Sequence, residues 1–244
     1  MSRTEGELEA RDPGLARRCS WFTGLLVLGC SLSFSSLSSA RAQVAGEVNE
    51  DLEITVRVYN YAGVSRGTLA RAEEEASTIF REAGIETRWQ DCPTSHAEEE
   101  AFPTCAQLLG PAGVDVRILP RSMAARLRSP RERLGLALPS QGGFASSAWV
   151  FFHRVEELAK SRIASPSQVL ACALAHEIGH LLLGPNQHSS VGVMRAHLGR
   201  DELKRASQGQ LLFTFSQCEL IRAEVMARVQ AGPTPNDSAR ATAN

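Results

Sequence analysis

Residues 165–194 read SPSQVLACALAHEIGHLLLGPNQHSSVGVM, and this stretch decides the fold. Ser165 supplies an N-cap, Pro166 suits the first helical position and Gln168 completes a capping box, so a helix opens here. Its flanks, Val169 to Ala175 and then Ile178 with Leu181 to Leu183, are apolar nearly all round, which is the pattern of a buried helix. Polar side chains inside such a helix need a partner that offsets their desolvation. His176 and His180 stand four residues apart and share one face, with Glu177 beside them.

Two imidazoles so placed can hold one Zn2+ ion, and three protein ligands leave the fourth position to a water whose pKa falls to about 7. Glu177 is then the general base that takes the water proton and delivers it to the leaving amine. The third ligand must come from downstream. His188 is favoured, because Gly184 permits a bend that returns the chain toward the ion, and His197 and Glu202 are the alternatives. His153 follows an apolar run and is expected at a strand end, bonded to backbone, while His96 lies in a polar, acidic loop. No Ser-centred nucleophile motif, phosphate-binding loop or dinucleotide fingerprint competes with the zinc motif.

His176-Glu177-x-x-His180, followed by Gly184, His188 and the segment Ser189 to Arg195, resembles the metzincin zinc peptidases. The resemblance implies that His188 is the third zinc ligand and that Met194 sits in a tight turn beneath the metal. One extra residue precedes Gly184 and another separates it from His188, so the pattern is HExxHxxxGxxxH, that of a divergent branch. It also implies an α+β fold: a twisted, mixed five-stranded sheet whose fourth strand is an edge that pairs with substrate, then an active-site helix and a C-terminal helix.

The residues upstream of the motif suggest the same order. Leu52, Ile54, Val56 and Val58 alternate with polar residues over Asp51 to Asn60, the period of a half-buried strand. Leu69, Ala72, Ala76, Ile79, Phe80 and Ala83 then recur at helical spacing until Gly84. Ile85 to Gln90 and Val114 to Leu119 read as the second and third strands, on either side of a loop holding Cys92 and Cys105. Leu134 to Leu138 and Ala148 to Phe152 read as the fourth and fifth, with a short helix or turn over Val155 to Ile163. Gly142 and Gly143 between them suit a turn or a movable loop. Toward the end, Ser216 with Glu219 reads as a capping box for a final helix whose apolar stripe is Leu220, Ile221, Val225, Met226 and Val229.

Residues 1–42 read as an export signal: Arg17 and Arg18, an apolar stretch from Trp21 to Leu28, and small residues around Ala40 to Ala42. This predicts a secreted or periplasmic protein, with lipid anchoring at Cys30 as the alternative. No later run is long and apolar enough to span a membrane. Residues 43–231 form the expected catalytic domain and 232–244 a disordered tail. In an oxidising compartment, Cys92 with Cys105 and Cys172 with Cys218 are the favoured disulfides. With 26 Lys plus Arg against 27 Asp plus Glu, no net field draws the chain to nucleic acid. The sequence therefore predicts a zinc-dependent endopeptidase acting on peptide or protein substrates, with a monomer as the default expectation. A zinc hydrolase of another amide and a non-catalytic exported module with structural zinc are the alternatives.

Overall fold

A computed structural model describes residues 52–95, 101–127, 130, 133–140 and 143–232. The export segment with Cys30, the loop residues His96 and Gly142, and residues 233–244 of the tail lie outside the described residues. Strand β1 (Glu53–Asn60) leads through helix α1 (Arg66–Glu82) to β2 (Glu86–Cys92). A short helix α2 (Pro103–Ala106) precedes β3 (Gly113–Leu119), and α3 (Arg121–Ala124) with a 3-10 turn precedes β4 (Gly135–Ala137) and β5 (Ser147–Phe151). The remaining chain is helical: α4 (Phe152–Ala159), α5 (Pro166–Leu183), α6 (Arg200–Ser207) and α7 (Phe215–Ala231).

The five strands make one α+β sheet in the order β2-β1-β3-β5-β4. The pairs β1–β2, β1–β3 and β3–β5 are parallel, as the intervening crossovers require, whereas β4 returns antiparallel to β5 with Gly135 opposite Val150 and Ala137 opposite Ala148. β4 is thus a three-residue edge strand, paired on one side and, among the described residues, not on the other. The alternating residues Ile54, Val56 and Val58 of β1 and Val114, Val116 and Ile118 of β3 are buried against Leu69, Ala72, Ala76 and Phe80 of α1 and against α5. α5 lies deepest, with α1, α4, α6, α7, β4 and β5 all packed against it. Its capping box forms as the sequence requires, with the Ser165 side chain accepting from the Gln168 N–H.

Several expectations are corrected. The fifth strand ends one residue early because the chain turns into α4 at Phe152, so His153 lies in the first turn of a helix and its buried Nδ1 has no hydrogen-bond partner among the described residues. The cap of α7 is Thr214 with Gln217 rather than Ser216 with Glu219, which starts the helix two residues sooner. Its buried face holds Gln217, Cys218, Ile221, Val225 and Arg228, while Leu220, Met226 and Val229 of the expected stripe are exposed. α6 carries a strongly polar sequence, and no apolar period announced it. Cys92 and Cys105 form a disulfide. Cys172 and Cys218, both buried, remain thiols, Cys172 lying by Glu75 of α1 and Cys218 directed at the Phe213 carbonyl.

The Cys92–Cys105 bond closes a loop of sequence separation 13, which restricts the unfolded chain. Replacing both residues by Ser should lower the unfolding free energy by about 3 kcal/mol in a denaturant titration. Cys172→Ala should cost less, since it removes one buried sulfur and no crosslink. An unchanged midpoint in the double variant would show that the loop contributes nothing.

Candidate metal centre

Helix α5 turns His176 and His180 toward the same open cleft, and their Nε2 atoms lie 3.1 Å apart. His188 comes to the same point from beyond the helix, its Nε2 3.1 Å from that of His180. The ligand atoms of all three lie within 4.8 Å of one another, and among the described residues this is the cluster with metal-ligand spacing. Val193 orients the first imidazole: its carbonyl accepts from His176 Nδ1 at 2.8 Å, so His176 Nε2 carries the lone pair. A single N–H on His180 Nε2 can point at one neighbour only, so proton sharing leaves one of the two 3.1 Å contacts unsatisfied. A cation between the three nitrogens satisfies both. With Zn–N near 2.0–2.1 Å, tetrahedral ligands stand about 3.3 Å apart, close to the spacing found. The chemistry of the donors agrees, because metal ligation requires neutral imidazoles. Burial, then the neighbouring imidazoles, holds His180 down at about 4, and burial also lowers His176 and His188.

The chain reaches His188 by a bend that ordinary residues resist. Gly184, at the helix C-terminus, has φ of +94°, and Asn186 follows at +61°. Beyond His188 a second tight segment forms, with the Ser189 N–H donating to the Met194 carbonyl and the Arg195 N–H to that of Gly192. Gly192 has φ of +80°, and a Cβ there would meet the Leu212 oxygen at 2.5 Å. The Val193 N–H donates to that same Leu212 oxygen, so Val193 is pinned from both sides. Met194 is fully buried against α5, and Gly179 admits it: a Cβ on Gly179 would lie 2.6 Å from the Met194 sulfur. Gln217 of α7 donates to the Ser189 hydroxyl and ties the turn to the last helix.

Glu177 is 4% exposed and lies beneath β4. A Cβ at Gly135 would come within 2.4 Å of the Trp149 oxygen and 2.6 Å of Glu177 Cγ, so only glycine lets the edge strand pass over this carboxyl. Burial pushes Glu177 up to about 8, against a backbone hydrogen bond at Ala137 and the charge of Arg133, which both favour the anion. A carboxyl poised near neutrality can both accept and return a proton.

The other two candidates for third ligand stand apart from the cluster. His197 is exposed at the cleft rim. Glu202 is spent elsewhere: it accepts from the Gly199 N–H at the start of α6 and pairs with Arg195. Arg228, which sequence reading alone does not single out, supports the end of α5. Only 1% exposed, it donates to the Leu181 carbonyl at 2.7 Å and the Ala145 carbonyl at 3.0 Å, and pairs with Glu224. Leu181 is in the last turn of α5, where carbonyls lack helical partners. Arg228 thus holds the turn from which the His188 bend departs.

Arg228→Met should lower stability by roughly 3 kcal/mol, since it strands buried carbonyls, and should weaken zinc binding at least tenfold in a competition titration. Zinc affinity equal to that of the parent chain would show that Arg228 supports the core alone. In the metal-free protein Glu177 is raised from its ordinary 4.5 to about 8, so the folded chain keeps a proton that the unfolded chain has released. That contribution is complete below the lower value and lost as pH rises through the higher one. As pH rises from about 4.5 to about 8 the metal-free chain should therefore lose stability relative to Glu177→Gln by up to about 1.4 kcal/mol per pH unit. Parallel pH profiles would contradict this.

No family model and no curated protein matches the chain. Among solved structures it is similar to archaemetzincin from Methanopyrus kandleri, at 15% identity over 73% of this chain and 99% of that one, with a TM-score of 0.40.

Proposed function

We propose that the chain is an exported zinc-dependent endopeptidase. The observation that carries this reading is the convergence of three imidazole nitrogens beside the buried carboxyl of Glu177, under an unpaired strand edge. His176, His180 and His188 would hold the ion, with Met194 packed beneath them. When bound, zinc supplies Lewis acidity toward the scissile carbonyl and lowers the pKa of water to about 7. Glu177 takes a proton from the attacking water and passes it to the leaving nitrogen, its side chain lining the same cleft as the three histidines. The roof over Glu177 keeps bulk water from the carboxyl.

β4 supports a peptide rather than a compact substrate, because an extended chain can add to its unpaired side by backbone hydrogen bonds. The cleft continues along this edge past His153 and Glu157 to Pro185 and Asn186, with a volume of about 1620 Å³, larger than usual small-molecule pockets of roughly 300–1,000 Å³. A structural zinc would use the three histidines but has no need of a buried carboxyl kept beside them. Export is supported by the reading of residues 1–42 and agrees with the Cys92–Cys105 disulfide.

Purified protein should hold about one zinc and cleave casein. Glu177→Gln should retain the metal and lose cleavage by roughly 10²–10⁴-fold; full activity in that variant would eliminate the mechanism. His188→Ala should lose zinc affinity far more than His197→Ala, and the reverse order would move the third ligand. Gly135→Ala, which drives a methyl group into Glu177 and the Trp149 carbonyl, should impair cleavage while leaving zinc content near one.

A further inference from the structure

The charged groups that line the cleft do not balance. Glu157 is paired with Lys160, Glu224 with Arg228, and Arg195 with Glu202. Arg154 donates to backbone carbonyls, and Arg121 and Arg133, which also line the cleft, have no ion-pair partner among the described residues. Of these two, Arg133 is the one beside the chemistry. It lines the same cleft as Glu177, His180 and His188 and stands two residues before Gly135, which lies against the Glu177 side chain.

The backbone that carries Arg133 is fixed from both directions. Arg154 of α4 donates to the carbonyls of Arg133 and Pro130, and its guanidinium lies over the Phe151 ring, 4.6 Å from the centroid. On the other side, the Leu134 carbonyl accepts from the Phe151 N–H, immediately before β4 begins. An exposed cation is therefore presented at the start of the edge strand. A positive charge there opposes a divalent metal, a cost that a bound anion would offset. Guanidinium matches a carboxylate with two parallel hydrogen bonds, and a carboxylate is the anion that peptides carry.

We infer that Arg133 is a specificity residue that binds a substrate carboxylate next to the scissile bond, so that the cleft selects peptides with an acidic side chain or a free C-terminus there. This rests on the peptidase reading. The pairing is with the substrate and not with the reacting atoms, so Arg133 sets preference and takes no part in proton transfer.

The test uses unstructured peptides matched except for Glu, Gln or Lys at each position flanking the cleaved bond, each with a free or an amidated C-terminus. For the zinc-loaded chain, kcat/KM should favour Glu over Lys by about tenfold or more at one flanking position, the worth of one charge-assisted contact. The ratio should fall to within about twofold in Arg133→Gln and invert in Arg133→Glu. A preference that follows the free C-terminus instead would assign the carboxylate to the chain end. Equal rates for Glu, Gln and Lys with both kinds of C-terminus, or a preference untouched in Arg133→Gln, would overturn the inference. Calorimetric binding of the same peptides to zinc-loaded Glu177→Gln should rank them alike. If the parent chain cleaves nothing yet binds acidic peptides through Arg133, the peptidase reading fails, the role beside a scissile bond falls with it, and only the Arg133–carboxylate contact remains; if the parent cleaves but neither rates nor binding rank the peptides, the peptidase reading stands and this inference fails.

Discussion

The burial of α5 is the constraint on which the rest depends. A helix apolar on almost every face has one stable position, at the centre of the domain, and the sheet, α1 and α7 close around it. Once it is there, His176, Glu177 and His180 line one cleft, with Glu177 under β4. Desolvation then sets the chemistry. It keeps the imidazoles neutral, as metal ligands must be, and it holds the carboxyl near the pH at which a proton can be taken up and released.

Around that helix the protein uses glycine where two elements approach more closely than a Cβ allows. Gly135 lets the edge strand cross Glu177, Gly179 lets the Met194 sulfur reach the underside of the helix, and Gly192 lets the turn close on Leu212. Each contact joins a part of the site to an element that carries none of the three histidines. Arg228 does the same for the helix end, by supplying donors to carbonyls that the helix itself cannot satisfy.

Features governed by local spacing were legible in the sequence, and those governed by approach between distant segments were not. His176 and His180 follow from a four-residue interval and the capping box from Ser165 and Gln168, both internal to one helix. The strand–helix order follows from the period-two runs of β1 and β3 and the helical period of α1. His188 needed the Gly184 bend as well, and the structure brings it to the other two across the stretched spacing. Gly135 in the run Leu134 to Leu138 did carry a signal, since glycine inside a strand marks a close backbone approach, but its partner Glu177 lies on another element. Arg228 falls on the buried face of its helix, three residues after Val225 and seven after Ile221, but the carbonyls that make an arginine stable there belong to other segments. An even number of cysteines pointed to two disulfides, yet pairing depends on the direction of each side chain, and Cys172 and Cys218 face different neighbours.

The central claim is that three imidazole nitrogens hold one zinc while Glu177 stays unligated beside it. Anomalous diffraction at the zinc edge from crystals of the loaded protein tests this most directly. The account predicts one peak about 2.0–2.1 Å from the Nε2 atoms of His176, His180 and His188, with the Glu177 carboxyl outside bonding distance. A peak that uses Glu177 or Glu202 as a ligand, or that leaves His188 out, would contradict it.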